Sequence, residues 1–136
     1  MVVGTFDGIH NGHIHYLKEA RKLGNHLTVL ISRDKTKWRL PPLYKLPEKE
    51  RANLVKALNL ADKIILGSKK NPLEKILKHA PHIVAITKYH PVEHTLLESE
   101  LRKNGSKTKV KLVKHYKKSV YDKHHKKNKN NLKSHF

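Results

Sequence analysis

Short apolar runs alternate with segments of helical period along most of this chain, and that alternation limits the fold more than any other feature. Residues 1–5 are apolar and lead into a turn at Phe6-Asp7-Gly8. Residues 11–24 carry Ile14, Leu17, Ala20 and Leu23 roughly on one helical face, with Gly24 as the stop. Residues 26–31 are β-branched and apolar, and a loop over 35–46 contains Pro41-Pro42. Pro47, Glu48 and Glu50 open a second helix whose apolar face is Ala52, Val55 and Leu58. Proline suits a first helical turn, and carboxylates suit the positive end of the dipole. Strand 63–66, helix 72–79, strand 82–86, helix 93–103 and strand 109–113 complete the series. Strands separated by helices imply a parallel sheet covered on both faces. The expected class is α/β, a Rossmann-like three-layer α/β/α arrangement on a five-stranded parallel sheet.

A chain of 136 residues fits one domain and buries a core without staples. It has no cysteine, which excludes a disulfide framework, a thiolate zinc site and a cysteine nucleophile. No apolar run approaches the length of a membrane span. The first residues enter structure without a basic segment and apolar core of the secretory kind, so a cytoplasmic location is expected. The net charge of +19 calls for an anionic partner. That charge is uneven: residues 101–136 hold 13 of the 30 basic residues and 1 of the 11 acidic ones. The reading is a globular domain over 1–121 and a Lys/His/Asn-rich tail over 122–136, too polar to offset its ordering entropy. His115, His124, His125 and His135 match no metal-ligand spacing and read as solvated. Lysines there would bind a polyanion with strong salt dependence.

In parallel sheets, ligands bind beyond the carboxyl ends of the strands. The first such end reads Gly4-Thr5-Phe6-Asp7-Gly8-Ile9-His10-Asn11-Gly12-His13. Two imidazoles lie three residues apart where a strand turns into a helix, so both can face one anion. Gly12 allows close approach between them. Gly4 and Gly8 let the backbone curl inward, and the helix start offers amides and the positive end of a dipole. The whole reads as a phosphate cradle fit to stabilise charge on a phosphoryl group under attack. Asp7 also suits a turn-capping role. His15 reads as facing elsewhere on the helix, and Trp38 suits either a base stack or a loop anchor.

This string resembles the His-x-Gly-His signature of the cytidylyltransferase-like nucleotidyltransferases, and its Gly-Thr-Phe-Asp lead-in matches them too. Ser32-Arg33-Asp34, Pro47-Glu48-Lys49-Glu50-Arg51, Ala61-Asp62-Lys63 and Pro81-His82-Ile83-Val84 extend the likeness over about residues 1–113, toward the archaeal FAD synthase branch. A glycerol-3-phosphate type of cytidylyltransferase is similar over the same span. The resemblance implies that His10 and His13 are catalytic, holding nucleotide phosphates and stabilising the transition state. It implies that Gly4, Thr5, Phe6, Asp7 and Gly12 line the nucleotide pocket and that Arg51 neutralises phosphate. A lysine of the 35–45 loop would do the same, with Lys37, Arg39 and Lys45 as candidates; Tyr89 and Ser119 complete the set. It further implies ATP or CTP with Mg2+, a phosphorylated small-molecule acceptor, no protein metal ligands and, by analogy, a homodimer.

Three positions depart from the family pattern. A Gly-Tyr-Asp-Gln or Gly-Asp-Asp type of turn is replaced by Thr87-Lys88-Tyr89-His90, without its acid. A Ser/Thr-rich helix start is replaced by a stretch, Lys118 to His125, in which Ser119 is the one hydroxyl of that kind. Asn59 stands where cytidylyltransferases often place arginine. FMN adenylylation is the first expectation. Glycerol-3-phosphate or choline-phosphate cytidylylation is the second, and a weakly catalytic basic nucleotide- or nucleic-acid-binding module the third.

Overall fold

The computed structural model describes residues 1–34 and 46–114. Among them, strands and helices alternate as the sequence pattern requires: β1 (Val2–Gly4), α1 (Asn11–Arg21), β2 (Thr28–Ile31), α2 (Glu48–Ala57), β3 (Lys63–Leu66), α3 (Glu74–His79), β4 (Ile83–Ile86), α4 (His94–Lys103) and β5 (Lys109–Leu112). The five strands form one sheet in the order β3-β2-β1-β4-β5. Every pairing is parallel; Val3 lies opposite Leu30, Val29 opposite Ile64 and Val84 opposite Val110.

Neighbouring residues of a strand point to opposite faces, so a strand buried on both sides reads as continuous apolar text. Val2, Val29 and Ile31 join Leu17 and Ala20 of α1 and Val55 of α2 in one core. Val3, Leu30 and Val84 join Ile76 of α3 and Leu97 and Leu101 of α4 in the other. The three-layer expectation therefore holds, with two helices on each face.

The chain builds β1 to β3 outward on one side, then returns to build β4 and β5 on the other. The reversal falls between β1 and β4, where an open parallel sheet has its ligand crevice. Tyr16 of α1 reaches this junction. Its buried hydroxyl donates to the carbonyl oxygens of Ala85 on β4 and, at 3.4 Å, Val3 on β1. The apolar-face reading of α1 missed Tyr16 and included Leu23, which is exposed. The helix ends at Arg21, so Leu23 lies past its last turn. Asn59 follows the C-cap of α2 with φ 55°, the left-handed conformation that asparagine tolerates better than most side chains. Backbone geometry is the role the structure assigns to that departure from the family pattern.

Candidate active site

The turn leaving β1 is shaped by an exchange between Gly4 and Phe6. Phe6 takes φ 53°, a region bulky residues rarely enter, and its ring is buried. A Cβ at Gly4 would stand 2.7 Å from Phe6 Cε2, so only glycine leaves room for that ring. The Phe6 ring stacks on Tyr16 with 6.4 Å between centroids and lies 5.4 Å from the His13 ring. Phe6 thus enters the site from below, as the floor under His13. Gly8, with φ 95°, closes the turn by donating its N–H to Phe6 O.

His10 is the N-cap of α1. Its Nδ1 accepts the Gly12 N–H at 3.0 Å, and the His10 N–H donates to His13 Nδ1 at 3.1 Å. The two imidazoles form a reciprocal capping box, the arrangement usually made by a hydroxyl and a carboxylate. Their ring centroids are 3.9 Å apart. A ring nitrogen that accepts an N–H carries no hydrogen of its own, so each ring holds its proton on Nε2. Both side chains are thereby set as neutral Nε2–H donors. The amides expected at the helix start are differently placed: Gly12 N–H is taken by His10 Nδ1, and His13 and Ile14 N–H by His10 O. These three amides are thus engaged within the cap itself.

Asp7 accepts the Leu46 N–H at 2.8 Å through Oδ1, which ties the β1 turn to the approach of α2. Arg51 is fully buried. It donates through Nη1 to Thr5 O at 2.7 Å, through Nε to Leu46 O at 3.0 Å and through Nη2 to Asp34 Oδ1 at 2.9 Å. Its charge is thus met by Asp34 inside the protein, and it fixes the backbone of Thr5. Asp34 also exchanges hydrogen bonds with Glu48: Asp34 N–H donates to Glu48 Oε1 and Glu48 N–H to Asp34 Oδ2. Arg33 completes the cluster, bonding Glu48 at 2.8 Å and Gly67 O at 2.7 Å. The Asp34 amide and then Arg33 hold the Glu48 carboxyl below its usual range. In the sequence Asp34 belongs to the Ser32-Arg33-Asp34 likeness without a role of its own, since nothing local pairs an acid with an arginine 17 residues away.

The turn leaving β4 faces the β1 turn across the junction. Thr87 supports it, accepting the Tyr89 N–H on Oγ1 and the His90 N–H on its carbonyl. His90 is buried, with Nδ1 at 3.1 Å from both N and O of Val92. Burial pushes its imidazole down to about 4, so it is neutral at ordinary pH. Lys88 is exposed and sits with Nζ 5.4 Å from the Tyr89 ring centroid. His15 Nε2 donates to Lys114 O at 3.0 Å, joining α1 to the chain that leaves β5.

Of the expected site residues, Gly4, Thr5, Phe6, Asp7, His10, Gly12 and His13 come together in the β1 turn. Arg51 lies behind Thr5, and Tyr89 lies on the adjacent β4 turn. Lys37, Arg39, Lys45, Ser119, Trp38 and the 122–136 tail lie outside the described residues. Among the described residues no group of three or more His, Asp or Glu side chains is arranged to hold a metal ion, and no helix is long and apolar enough to cross a membrane.

The sequence model of the cytidylyltransferase-like family matches residues 1–134. A protein named FAD synthase from Methanohalophilus mahii is 40% identical over 111 residues, covering 81% of this chain and 77% of that one. An FAD synthase from Archaeoglobus profundus is 40% identical over 114 residues, with 84% and 73% covered. Among solved structures, a lipopolysaccharide core biosynthesis protein from Thermoplasma volcanium superposes with a TM-score of 0.79 at 32% identity. That match covers 85% of this chain and 95% of the other. Fold, site turn and relatives agree, and the chain belongs to the cytidylyltransferase-like family of nucleotidyltransferases.

Proposed function

We propose that this protein transfers the AMP moiety of ATP to the phosphate of FMN, releasing pyrophosphate. The observation that carries the reading is the reciprocal His10–His13 cap at the mouth of the β1–β4 crevice. An oxygen of the acceptor phosphate attacks the α-phosphorus and forms a new P–O bond. The bond from the α-phosphorus to the bridging oxygen breaks, and its electron pair leaves with pyrophosphate. Negative charge builds on the oxygens around the α-phosphorus, where two prealigned Nε2–H donors stabilise it most. Neutral donors held by their own backbone need no reorientation as that charge develops.

In this reading Arg51 is a positioning residue, holding Thr5 O and the chain beside the cradle. Gly4 and Phe6 set the depth of the turn. Magnesium arrives on the triphosphate, because that ion keeps several waters and takes few protein ligands. Relatives named FAD synthase support ATP and FMN as the substrate pair.

Pyrophosphate release with ATP, Mg2+ and FMN tests the assignment, with CTP and glycerol 3-phosphate or phosphocholine as parallel arms. The expected result is turnover with ATP and FMN that falls about 10²- to 10³-fold in His10→Ala and in His13→Ala. Full turnover in both variants would remove the chemistry from this turn. Turnover confined to CTP would replace the substrate pair and leave the turn's role intact.

A further inference from the structure

The carboxyl ends of the strands carry the crevice described above, and the amino ends carry a second concavity. Strands β2, β3 and β4 have 4 residues each, which puts the two ends about 13 Å apart. A cleft of about 460 Å³ opens there between the starts of β1 to β4 and the last turns of α1 and α3. His26, Lys63, His79 and His82 line it, all exposed, and among the described residues no aspartate or glutamate does.

The backbone fixes where these side chains start. Ala80 takes φ 45°, which turns α3 into β4 and sets His79 and His82 on either side of the turn. Thr108 Oγ1 donates to Pro81 O at 2.6 Å and Lys109 N–H to His82 O at 3.0 Å, so β5 holds that turn. Lys63 stands opposite Thr28 in the sheet, and its N–H donates to Leu27 O at 3.2 Å, next to His26. Lys75 and Lys78 of α3 extend the group: partial burial, and then the charges of Lys63, Lys75 and Lys78, hold the His79 imidazole below its ordinary 6.5. The acids of this end are engaged. Asp62 accepts from Arg21 and from Leu27 N–H and lies within electrostatic reach of His26, Glu19 pairs with Lys22, and Glu74 accepts the Ser68 hydroxyl. Among the described residues, Lys63, Lys75, Lys78, His79 and His82 make no ion pair with an acid. The negative end of the α3 dipole explains Lys78 and His79. It does not explain Lys63, His26 and His82, which stand at strand starts. Like charges drawn together raise the energy of the cluster, and an anion among them lowers it.

We propose that this cleft is a second anion site, which takes a compact chain of linked phosphates at the end of the sheet opposite the His10–His13 turn. Cations spread over separate elements suit several linked charges better than a single phosphate. The concave form suits a compact ligand, whereas a nucleic-acid backbone follows an extended basic groove. The site stands apart from the substrate pair assigned above and does not depend on it.

Calorimetric titrations with tripolyphosphate and with ATP test it, at low ionic strength where exposed charges are least screened. The variants are Lys63→Gln combined with His79→Gln, Lys63→Arg alone, and His13→Ala. The expected result is tripolyphosphate binding weakened about tenfold or more at one site in the double variant, with that site kept in Lys63→Arg and in His13→Ala. In the parent protein and in His13→Ala, the amide resonances of Lys63, His79 and His82 should shift as tripolyphosphate is added. ATP weakened in the double variant as much as tripolyphosphate upholds the site and shows that it reads the phosphate chain of a nucleotide too. ATP unaffected there upholds it for inorganic chains alone. Full tripolyphosphate binding in the double variant, or resonance shifts confined to the turn over 5–13, would overturn the proposal. An unstructured single-stranded oligonucleotide that binds more tightly than tripolyphosphate, and is lost in the same double variant, would overturn it in favour of a nucleic-acid backbone.

Discussion

Gly4 and Phe6 show how one residue's absence of side chain becomes another's position. The 2.7 Å approach means that even a methyl group at residue 4 must displace a buried ring held at φ 53°. Gly4→Ala is expected to lower stability by about 1–3 kcal/mol, the usual cost of overpacking. Urea unfolding measures it, and Gly4→Ala combined with Phe6→Leu should cost less than the sum of the two single changes. The histidine pair was legible in the sequence because its logic is local. Two rings three residues apart at a strand-to-helix turn are close in any fold that forms the turn. Their shared proton arrangement was not legible, because it depends on which backbone N–H each Nδ1 meets.

At the scale of elements, α2 carries the clearest divergence between pattern and packing. Its apolar spacing predicted Ala52, Val55 and Leu58 as the inward face. All three meet the core, Ala52 and Leu58 partly buried, but the structure also turns Arg51 inward as the one fully buried residue of the helix besides Val55. The guanidinium binds β1 through Thr5 O and the exit of β2 through Asp34, so one side chain joins three elements. Removing the guanidinium leaves Thr5 O and Leu46 O without their donor and the partly exposed Asp34 carboxylate without its cation. Arg51→Met is therefore expected to destabilise the fold by about 1–3 kcal/mol. Arg51→Met with Asp34→Leu should recover part of that loss, because the stranded carboxylate is removed as well. Denaturant midpoints of the two variants check both statements. Nothing in the helical pattern marks the one arginine of α2 as turning inward; its direction follows from where Thr5 O and Asp34 come to lie. His15 makes a comparable link, from α1 to Lys114 O, across 99 residues.

For the molecule as a whole, the buried and paired titratable groups set how stability depends on pH. Burial pushes the His90 imidazole from 6.5 down to about 4. Between those values the unfolded chain binds a proton that the folded chain refuses. Stability therefore falls as pH drops from about 6.5 to about 4, by on the order of 3 kcal/mol from this residue. Glu48 adds a second loss at lower pH. Its folded carboxyl lies below the ordinary 4.5, so its contribution is present above that value and disappears as pH falls further. Urea unfolding at a series of pH values should show a decline that begins above pH 5. In His90→Gln most of that upper part of the decline should vanish, leaving the smaller share that His79 contributes with the same sign, while the lower part remains. A decline of equal size in His90→Gln would assign the upper window to other groups.

The order of elements, the parallel sheet and the strand-to-helix turn that leaves β1 were all readable from residue order. Each follows from short-range rules: side-chain alternation along strands, helical period, and glycine and histidine at a strand's carboxyl end. The direction Arg51 faces, the partners of Asp34 and the insertion of Tyr16 between β1 and β4 were settled by folding alone. Those contacts join residues far apart along the chain, and such distances become short only once two cores have closed on the sheet and set its register.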